Sequence, residues 1–259
     1  MTRFSFPMYD IDHPTTVALS EALAHRLAMQ GITARIEWPT DLLPHWRDDD
    51  LLLSQTCGYP LVKLLPDVQL VGAFQSSAPG CEGFRYRSWL VVRAEDQRLH
   101  LDDFFGRRAV ANSTDSHSGY NSLRYTVAPL ARNGKFFSET LLTGSHRQSL
   151  VALRDNLADL AAIDCITWAL LRHSAPEELN GLEIIGETPL CAALPLITSA
   201  KTDRQTIEKL RSALGQLTEE EKTVCAASLI SGFAVPDRAF YDEVAAMEQQ
   251  AAALGVTAL

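Results

Sequence analysis

The stretch of sequence with the clearest chemical potential covers residues 112–121. It reads Asn-Ser-Thr-Asp-Ser-His-Ser-Gly-Tyr-Asn, so a cluster of hydroxyl residues leads to a glycine and the expected start of a helix. The first backbone N–H groups of a helix have no partners within it and carry partial positive charge. With the hydroxyl groups of Ser116 and Ser118 they would form a small cradle for an anion without a cationic side chain. The alternative is that one of these serines only caps the helix.

Two other stretches could add polar groups to this cradle. Thr143-Gly144-Ser145-His146 repeats the order of hydroxyl, glycine and helix start, so His146 could donate a hydrogen bond to an anion, or it could cap the helix or face solvent. Asp164 directly follows a short apolar strand expected at residues 161–163, at the strand end where α/β proteins bind ligands. Its carboxylate could accept a proton from the ligand, orient His146, or cap the following helix.

Two turns beside expected strands supply further candidates. Gly58 permits a tight turn within residues 55–60, and Tyr59 could present its hydroxyl there. Ser88 closes the run Tyr86-Arg87-Ser88 just before a strand. Core packing or turn formation accounts for these residues equally well.

The elements that would position these residues follow an α/β pattern. An amphipathic helix is expected at residues 15–30, and short aliphatic strands are expected at 32–38, 51–53, 68–71, 88–93, 108–111, 161–163 and 183–186. Further helices are expected at 119–130, 146–157 and 166–172. The last sixty residues are expected to be helical, with a capping box formed by Thr218 and Glu221. The pattern predicts two α/β units that share one continuous chain.

Charge and hydropathy exclude several classes of function. Asp and Glu outnumber Lys and Arg by 32 to 23, and the formal net charge of −9 makes nucleic acid an unfavourable partner. No apolar run reaches the roughly 18 residues of a membrane-spanning helix, so membrane insertion is not expected. The N-terminus lacks the basic start and apolar core of a secretory signal. This favours a cytoplasmic location, or a periplasmic one if a leader has been removed.

No cofactor, metal ion or catalytic group is expected. The five cysteines include no CxxC pair, which disfavours a zinc site, although Cys57 and Cys81 could form a disulfide. The acidic run at residues 48–50 is best explained as a solvated turn. The serine-nucleophile elbow, the phosphate loop and the HExxH motif are all absent. These absences predict a protein that is not an enzyme.

Taken together, the motifs resemble the substrate-binding components of phosphate, phosphite and phosphonate ABC transporters, and most closely the shorter members without a signal peptide. The resemblance extends along the whole chain. The stretches that carry it are Pro7-Met8-Tyr9-Asp10, Ser54-Gln55-Thr56-Cys57-Gly58-Tyr59-Pro60-Leu61, Tyr86-Arg87-Ser88, Ser116-His117-Ser118-Gly119-Tyr120, Phe136-Phe137, Thr143-Gly144-Ser145-His146 and Ala162-Ile163-Asp164.

The resemblance implies a type II periplasmic-binding-protein fold, with two α/β lobes joined by a two-segment hinge. Lobe 1 would comprise residues 1–88 and 190–259, and lobe 2 residues 89–189. The family's Ser-Thr-Ser-Gly run has His117 in place of the threonine in this chain. The predicted ligand-binding residues are Tyr9, Tyr59, Ser88, Ser116, His117, Ser118, Gly119, Tyr120, His146 and Asp164.

The function implied is a solute-binding protein that closes around a small oxyanion, such as phosphate, phosphite or a phosphonate, for uptake or sensing. An ABC permease would then be a partner. Two other classes remain open at this point. One is an enzyme on the same fold, similar to menaquinone- or thiamine-pathway enzymes, that acts on a small anionic metabolite. The other is a sensor that signals to a kinase or regulator.

Overall fold

The structure is a computed structural model that describes residues 2–259. Within this range the strands are β1 (Arg3–Ser5), β2 (Arg35–Ile36), β3 (Leu51–Gln55), β4 (Gln69–Ser76), β5 (Arg85–Tyr86), β6 (Ser88–Arg93), β7 (Arg108–Ala111), β8 (Glu139–Leu142), β9 (Leu160–Asp164), β10 (Leu182–Glu187), β11 (Cys191–Ala192), β12 (Pro195–Thr198) and β13 (Ile230–Ala234). The α-helices are α1 (His13–Met29), α2 (Leu42–Trp46), α3 (Gly58–Lys63), α4 (Ser122–Val127), α5 (His146–Arg154), α6 (Cys165–Ser174), α7 (Arg204–Glu220), α8 (Lys222–Ala227) and α9 (Asp242–Ala253).

The chain divides into two compact α/β units. Unit 1 comprises the chain up to Arg85 together with Ala192–Tyr241, and unit 2 comprises Tyr86–Cys191 with Asp242–Leu259. The strands β5 and β11, which form a two-stranded sheet, span the first two crossing points of the chain. The predicted α/β class is therefore confirmed.

Unit 1 is built on a six-stranded mixed sheet in the order β13-β4-β12-β3-β1-β2. The strands β1, β2 and β3 are parallel, whereas β12 and β13 run antiparallel to their neighbours. All five residues of β3 are buried, because helices cover both faces of the sheet.

The two faces of this sheet carry separate hydrophobic clusters. Leu196 belongs to the cluster under α1 and α7, while its neighbour Ile197 belongs to the cluster under α2 and α3, as expected for successive side chains of a strand. Helix α7 contributes apolar residues at helical spacing, with Leu210, Leu214 and Leu217 fully buried. Arg26 of α1 also reaches carboxylates at the end of α7, 2.5 Å from each.

Unit 2 is built on a five-stranded sheet in the order β10-β6-β9-β7-β8. The strands β9, β7 and β8 are parallel, and β6 and β10 are antiparallel to their neighbours. One face is covered by α4 and the loop regions around Phe104, Phe136 and Phe137, which pack on Leu90 and Ala162 of the sheet. This sheet positions the candidate site, since the stretch at residues 112–121 begins where β7 ends.

The last segment of the chain, Asp242–Leu259, belongs to unit 2, whereas lobe 1 was predicted to include residues 190–259. Polar contacts anchor it to the helical segment that follows β7. The side chain of Asn121 donates to the Val244 carbonyl at 3.0 Å, and Arg124 donates to the Thr257 carbonyl at 2.8 Å. An amphipathic terminal helix does not reveal from its own sequence which unit it covers.

Two expectations for the C-terminal region are wrong. Thr218 is not a helix cap but lies inside α7, where its hydroxyl donates to the Gly215 carbonyl, and the true N-cap is Asp203. The region is not wholly helical either, because β13 pairs antiparallel with β4. Pairing with a strand about 150 residues earlier overrides local helix preference.

Three features considered from the sequence are absent from residues 2–259. Among residues 2–259 no helix is long and apolar enough to cross a membrane. The same residues contain no cluster of His, Cys, Asp and Glu that could hold a metal ion, and no disulfide joins the described cysteines.

Candidate anion-binding site

Three helix starts meet one edge of the unit 2 sheet. The parallel strands β9, β7 and β8 are adjacent, so their carboxyl ends lie along the same edge. Each strand is followed by a helical segment, which begins at His117 after β7, at His146 after β8 and at Cys165 after β9. The edge therefore gathers backbone N–H groups and partial positive charge, which suits an anion.

The helical segment after β7 opens with a wide turn. The N–H of Asn121 donates to the Ser116 carbonyl at 3.0 Å, five residues back, which is the spacing of a π-helix. Ser116 also caps this turn, because its Oγ accepts from the Gly119 N–H at 3.0 Å. The capping alternative for Ser116 thus holds, and single π-turns are frequent at functional sites.

Ser118 and His146 lie in direct contact. The Ser118 Oγ and the His146 Nε2 are 2.8 Å apart, although 28 residues separate them in sequence. The Ser118 carbonyl is fixed from two sides, since it accepts from Ser88 Oγ at 2.9 Å and from Ser122 Oγ at 2.7 Å. Three predicted residues, Ser88, Ser118 and His146, are therefore brought together by side-chain hydrogen bonds.

Both histidines of the site are neutral at physiological pH. Burial lowers the pKa of His117 and of His146 to about 4, because desolvation disfavours the charged imidazolium. His117 is only 1% exposed, and its Nδ1 lies 3.2 Å from the side-chain nitrogen Nδ2 of Asn121. Each ring at pH 7 therefore offers one N–H donor and one acceptor nitrogen, and no positive charge.

Asp164 ends β9 and caps α6. Its Oδ1 accepts from the N–H groups of Ile166 at 2.7 Å and Thr167 at 3.2 Å. Asp164 is 2% exposed and pairs in register with Ser88 across β6 and β9. Of the three roles considered for this carboxylate, helix capping is the one that the geometry displays.

The three tyrosines of the prediction lie in different places. The Tyr120 hydroxyl accepts from the Leu259 N–H at 3.1 Å, so it is directed toward the C-terminal segment of unit 2. Tyr9 and Tyr59 belong to unit 1, where they follow the parallel strands β1 and β3. Both therefore lie beyond the carboxyl ends of strands, the edge where open α/β sheets bind ligands.

Sequence reasoning missed Asn112, the residue directly after β7. Its side chain lies against Gly119 so closely that a Cβ at residue 119 would be 1.9 Å from Asn112 Oδ1 and 3.2 Å from His146 Cε1. Gly119 is thus required by close approach rather than by its backbone angles. The only local signal for Asn112 was a polar residue at the end of a strand.

Among the described residues, the pair formed by Ser118 and His146 lacks a third group in direct hydrogen-bond contact. A serine hydroxyl beside a histidine is the start of a nucleophile and base pair. In catalytic triads a third group orients the histidine through its other nitrogen. Here Nδ1 of His146 is buried and has no hydrogen-bond partner among the described residues. A small recess adjoins the pair and is lined by Tyr86, Arg87, Ser88, His117, Ser118, Ser122, Thr188, Pro189 and Cys191.

Comparison with known proteins adds a family match. A family model described as "ABC transporter, phosphonate, periplasmic substrate-binding protein" matches residues 17–241. A search of curated proteins gives no match to this sequence.

Similar solved structures include three from bacterial sources. A binding-protein component of an ABC phosphonate transporter from Pseudomonas aeruginosa is 18% identical, with a TM-score of 0.79 over 98% of this chain and 87% of that one. A Prochlorococcus marinus protein in complex with methylphosphonate is 14% identical, with a TM-score of 0.79 over 96% and 97%. A Xanthomonas citri protein bound to ATP is 17% identical, with a TM-score of 0.72 over 97% and 98%. These likenesses confirm the predicted two-lobed fold of type II periplasmic binding proteins.

Proposed function

Because the chain belongs to the family of periplasmic substrate-binding proteins of phosphonate ABC transporters, we propose that it binds a small phosphorus oxyanion, namely phosphate, phosphite or an alkylphosphonate. The family is a transporter component and not an enzyme. The observation that carries the proposal within this chain is the contact between Ser118 and His146 at the start of a helix.

The electrostatics of unit 2 support an anion held by neutral groups. Neither histidine is charged at pH 7, so helix N–H groups and hydroxyl groups are the neutral hydrogen-bonding groups that the site offers to an anion. The protein's negative net charge opposes a long-range attraction for anions, and short-range hydrogen bonds therefore determine affinity. Such bonds depend on geometry, which favours a compact tetrahedral oxyanion over a flexible polyanion.

The remaining predicted contacts form part of the proposal. Tyr9 and Tyr59 are proposed to contribute hydroxyl groups from unit 1, and the two lobes are proposed to correspond to units 1 and 2. Closure on ligand binding follows from the resemblance to binding proteins, because a ligand that contacts both lobes shifts the population toward the closed state. Small-angle scattering with and without methylphosphonate tests closure, and Tyr9→Phe and Tyr59→Phe test the hydroxyls.

The direct test is isothermal titration calorimetry with Ser118→Ala and His146→Ala. Each substitution should weaken methylphosphonate or phosphite binding by about 1–3 kcal/mol, roughly 5- to 150-fold in Kd, because it removes a hydrogen-bonding group beside a charged ligand. Matched controls are Ser138→Ala and His173→Ala, which make the same changes at exposed positions of unit 2. Unchanged affinity in both site variants would remove this pair from the site.

Ligand identity is tested by a thermal-shift series with phosphate, phosphite, methylphosphonate and sulfate. A ligand present at about 100 times its Kd stabilises the folded protein by roughly 2.7 kcal/mol. We expect at least one phosphorus oxyanion to raise the melting temperature. If none of the four does so at millimolar concentration, the proposed function is wrong.

An ABC permease and a periplasmic location are the partner and compartment proposed from the family. Cell fractionation and co-purification with a permease test them. Recovery with a kinase or regulator instead would support the sensing role.

A further inference from the structure

Two buried polar atoms beside the proposed site have no hydrogen-bond partner among the described residues. They are Oδ1 of Asn112 and Nδ1 of His146. Both side chains lie against Gly119, Asn112 from the end of β7 and His146 from the segment after β8. A Cβ atom at residue 119 would be 1.9 Å from Asn112 Oδ1 and 3.2 Å from His146 Cε1. A buried polar atom without a partner is costly, so such a pair calls for an explanation.

The protonation pattern of the His146 ring decides whether both atoms can be satisfied. A neutral imidazole carries one proton, on Nδ1 or on Nε2. With the proton on Nε2, Nδ1 and Asn112 Oδ1 would be two buried acceptors. With the proton on Nδ1, they become a donor and an acceptor, and since neither has a direct partner among the described residues, one bridging water would satisfy both.

The choice of tautomer also fixes the direction of the hydrogen bond at the other nitrogen. With the proton on Nδ1, Nε2 carries a lone pair and must accept from the Ser118 hydroxyl, 2.8 Å away. The Ser118 oxygen then has no proton left for the ligand and presents only lone pairs. It would bind a ligand atom that donates a proton.

We propose that Asn112 is a positioning residue that holds His146 in its Nδ1–H tautomer, and that the site thereby prefers an oxyanion carrying one proton. This inference rests on the proposed function and deepens it. The substrate class is the hydrogen form of a phosphorus oxyanion, whose P–OH group donates to Ser118 while its ionised oxygens take helix N–H groups. Sulfate, which carries no proton at neutral pH, is disfavoured.

The class agrees with the chemistry of the candidate ligands. Phosphate monoesters lose their second proton at about pH 6, and phosphorus oxyanions of this kind exist in singly and doubly ionised forms around neutrality. Asn112, Ser118 and His146 are neutral, and an acceptor at Ser118 favours a ligand form that carries one proton.

The first experiment measures the tautomer in the unchanged protein. Nitrogen-15 NMR of protein labelled at histidine distinguishes a protonated ring nitrogen from one with a lone pair, and assignment uses His146→Gln. We expect His146 to carry its proton on Nδ1 at pH 7. A proton on Nε2 would overturn the inference even if ligands bind as proposed.

The second experiment changes the acceptor. Asn112→Leu removes Oδ1 at similar volume, and Asn180→Leu makes the same change at an exposed position of unit 2. We expect Asn112→Leu to shift the His146 proton toward Nε2 and to lower the preference for methylphosphonate over sulfate by roughly tenfold, about 1.4 kcal/mol. Asn180→Leu should change neither quantity.

The outcomes separate the two proposals. If methylphosphonate, phosphite and phosphate all fail to bind the unchanged protein, the proposed function fails, while the tautomer measurement still tests the Asn112–His146 pairing. If they bind and sulfate binds equally well, the preference for a protonated ligand is refuted. If Asn112→Leu changes neither the His146 tautomer nor the preference for methylphosphonate over sulfate, Asn112 is not the positioning residue.

Discussion

Replacing Gly119 with alanine tests whether the helix start must lie directly against Asn112. The new Cβ would be 1.9 Å from Asn112 Oδ1, 3.0 Å from its Cγ and 3.2 Å from His146 Cε1. An ordinary contact is near 3.5 Å, so the Asn112 side chain has to retreat by about 1.5 Å. The His146 ring, which contacts Ser118, has to shift by only a few tenths of an ångström, because its Cε1 would lie 3.2 Å from the new Cβ.

The magnitude combines two opposing effects. Overpacking of this kind costs about 1–3 kcal/mol, while alanine in place of a helical glycine contributes about 0.5–1 kcal/mol. We therefore expect Gly119→Ala to lower the free energy of unfolding by about 1–2 kcal/mol. Affinity for the proposed oxyanion should fall by roughly tenfold, because Asn112 and His146 both shift relative to Ser118.

A matched glycine provides the control. Gly215 lies inside α7, and a Cβ there would meet nothing within 4 Å. Gly215→Ala should therefore raise the free energy of unfolding by about 0.5–1 kcal/mol and leave binding unchanged. Urea denaturation and titration calorimetry measure both quantities. If Gly119→Ala proved as stable as Gly215→Ala and bound the ligand normally, the close packing at residue 119 would be refuted.

Two further predictions concern stability. Burial lowers the pKa values of His117 and His146 from 6.5 to about 4, so between these pH values the unfolded chain binds protons that the folded chain does not. As the pH falls from 6.5 to 4, the free energy of unfolding should therefore decrease by up to about 1.4 kcal/mol per pH unit for each histidine. Urea denaturation across this range should show a weaker pH dependence for His146→Gln, and an unchanged dependence would contradict the assignment. Asp159→Asn should destabilise the protein by about 2–3 kcal/mol, because this carboxylate is largely buried between two arginines 2.9 Å away. Asp49→Asn is the control, because Asp49 forms an exposed ion pair with Lys201. This variant should leave the midpoint of urea denaturation nearly unchanged. Equal destabilisation by both variants would contradict the expectation that the buried carboxylate contributes more to stability.

Local patterns predicted much of unit 2 because its strands are short apolar runs bounded by polar turns. The strands at Ser88–Arg93 and Arg108–Ala111 have the predicted bounds. The run of hydroxyl residues and the glycine after β7 predicted a helix start, because serine and threonine are favoured at helix N-caps. The contact between Ser118 and His146 was expected only from the family resemblance, because the spacing of two residues in sequence does not specify their distance.

Long-range pairing limited the rest. Strand β13 lies in a region with helical neighbours on both sides, and only its pairing with β4 makes it a strand. Asn112 shows the same limit at the site, since its importance depends on how near it lies to Gly119 in space. Hydrogen bonds from Asn121 and Arg124 attach the segment Asp242–Leu259 to unit 2. The amphipathic pattern of the segment does not reveal these partners.

The return of Asp242–Leu259 to unit 2 matters for the placement of spectroscopic labels. A dye attached within this segment lies in the unit that contains Ser118, although the residues just before it, up to Tyr241, belong to unit 1. Labels a few positions apart on either side of Tyr241 therefore report on different bodies. A donor and acceptor pair intended to follow motion between the bodies has to be chosen by this division and not by distance along the chain.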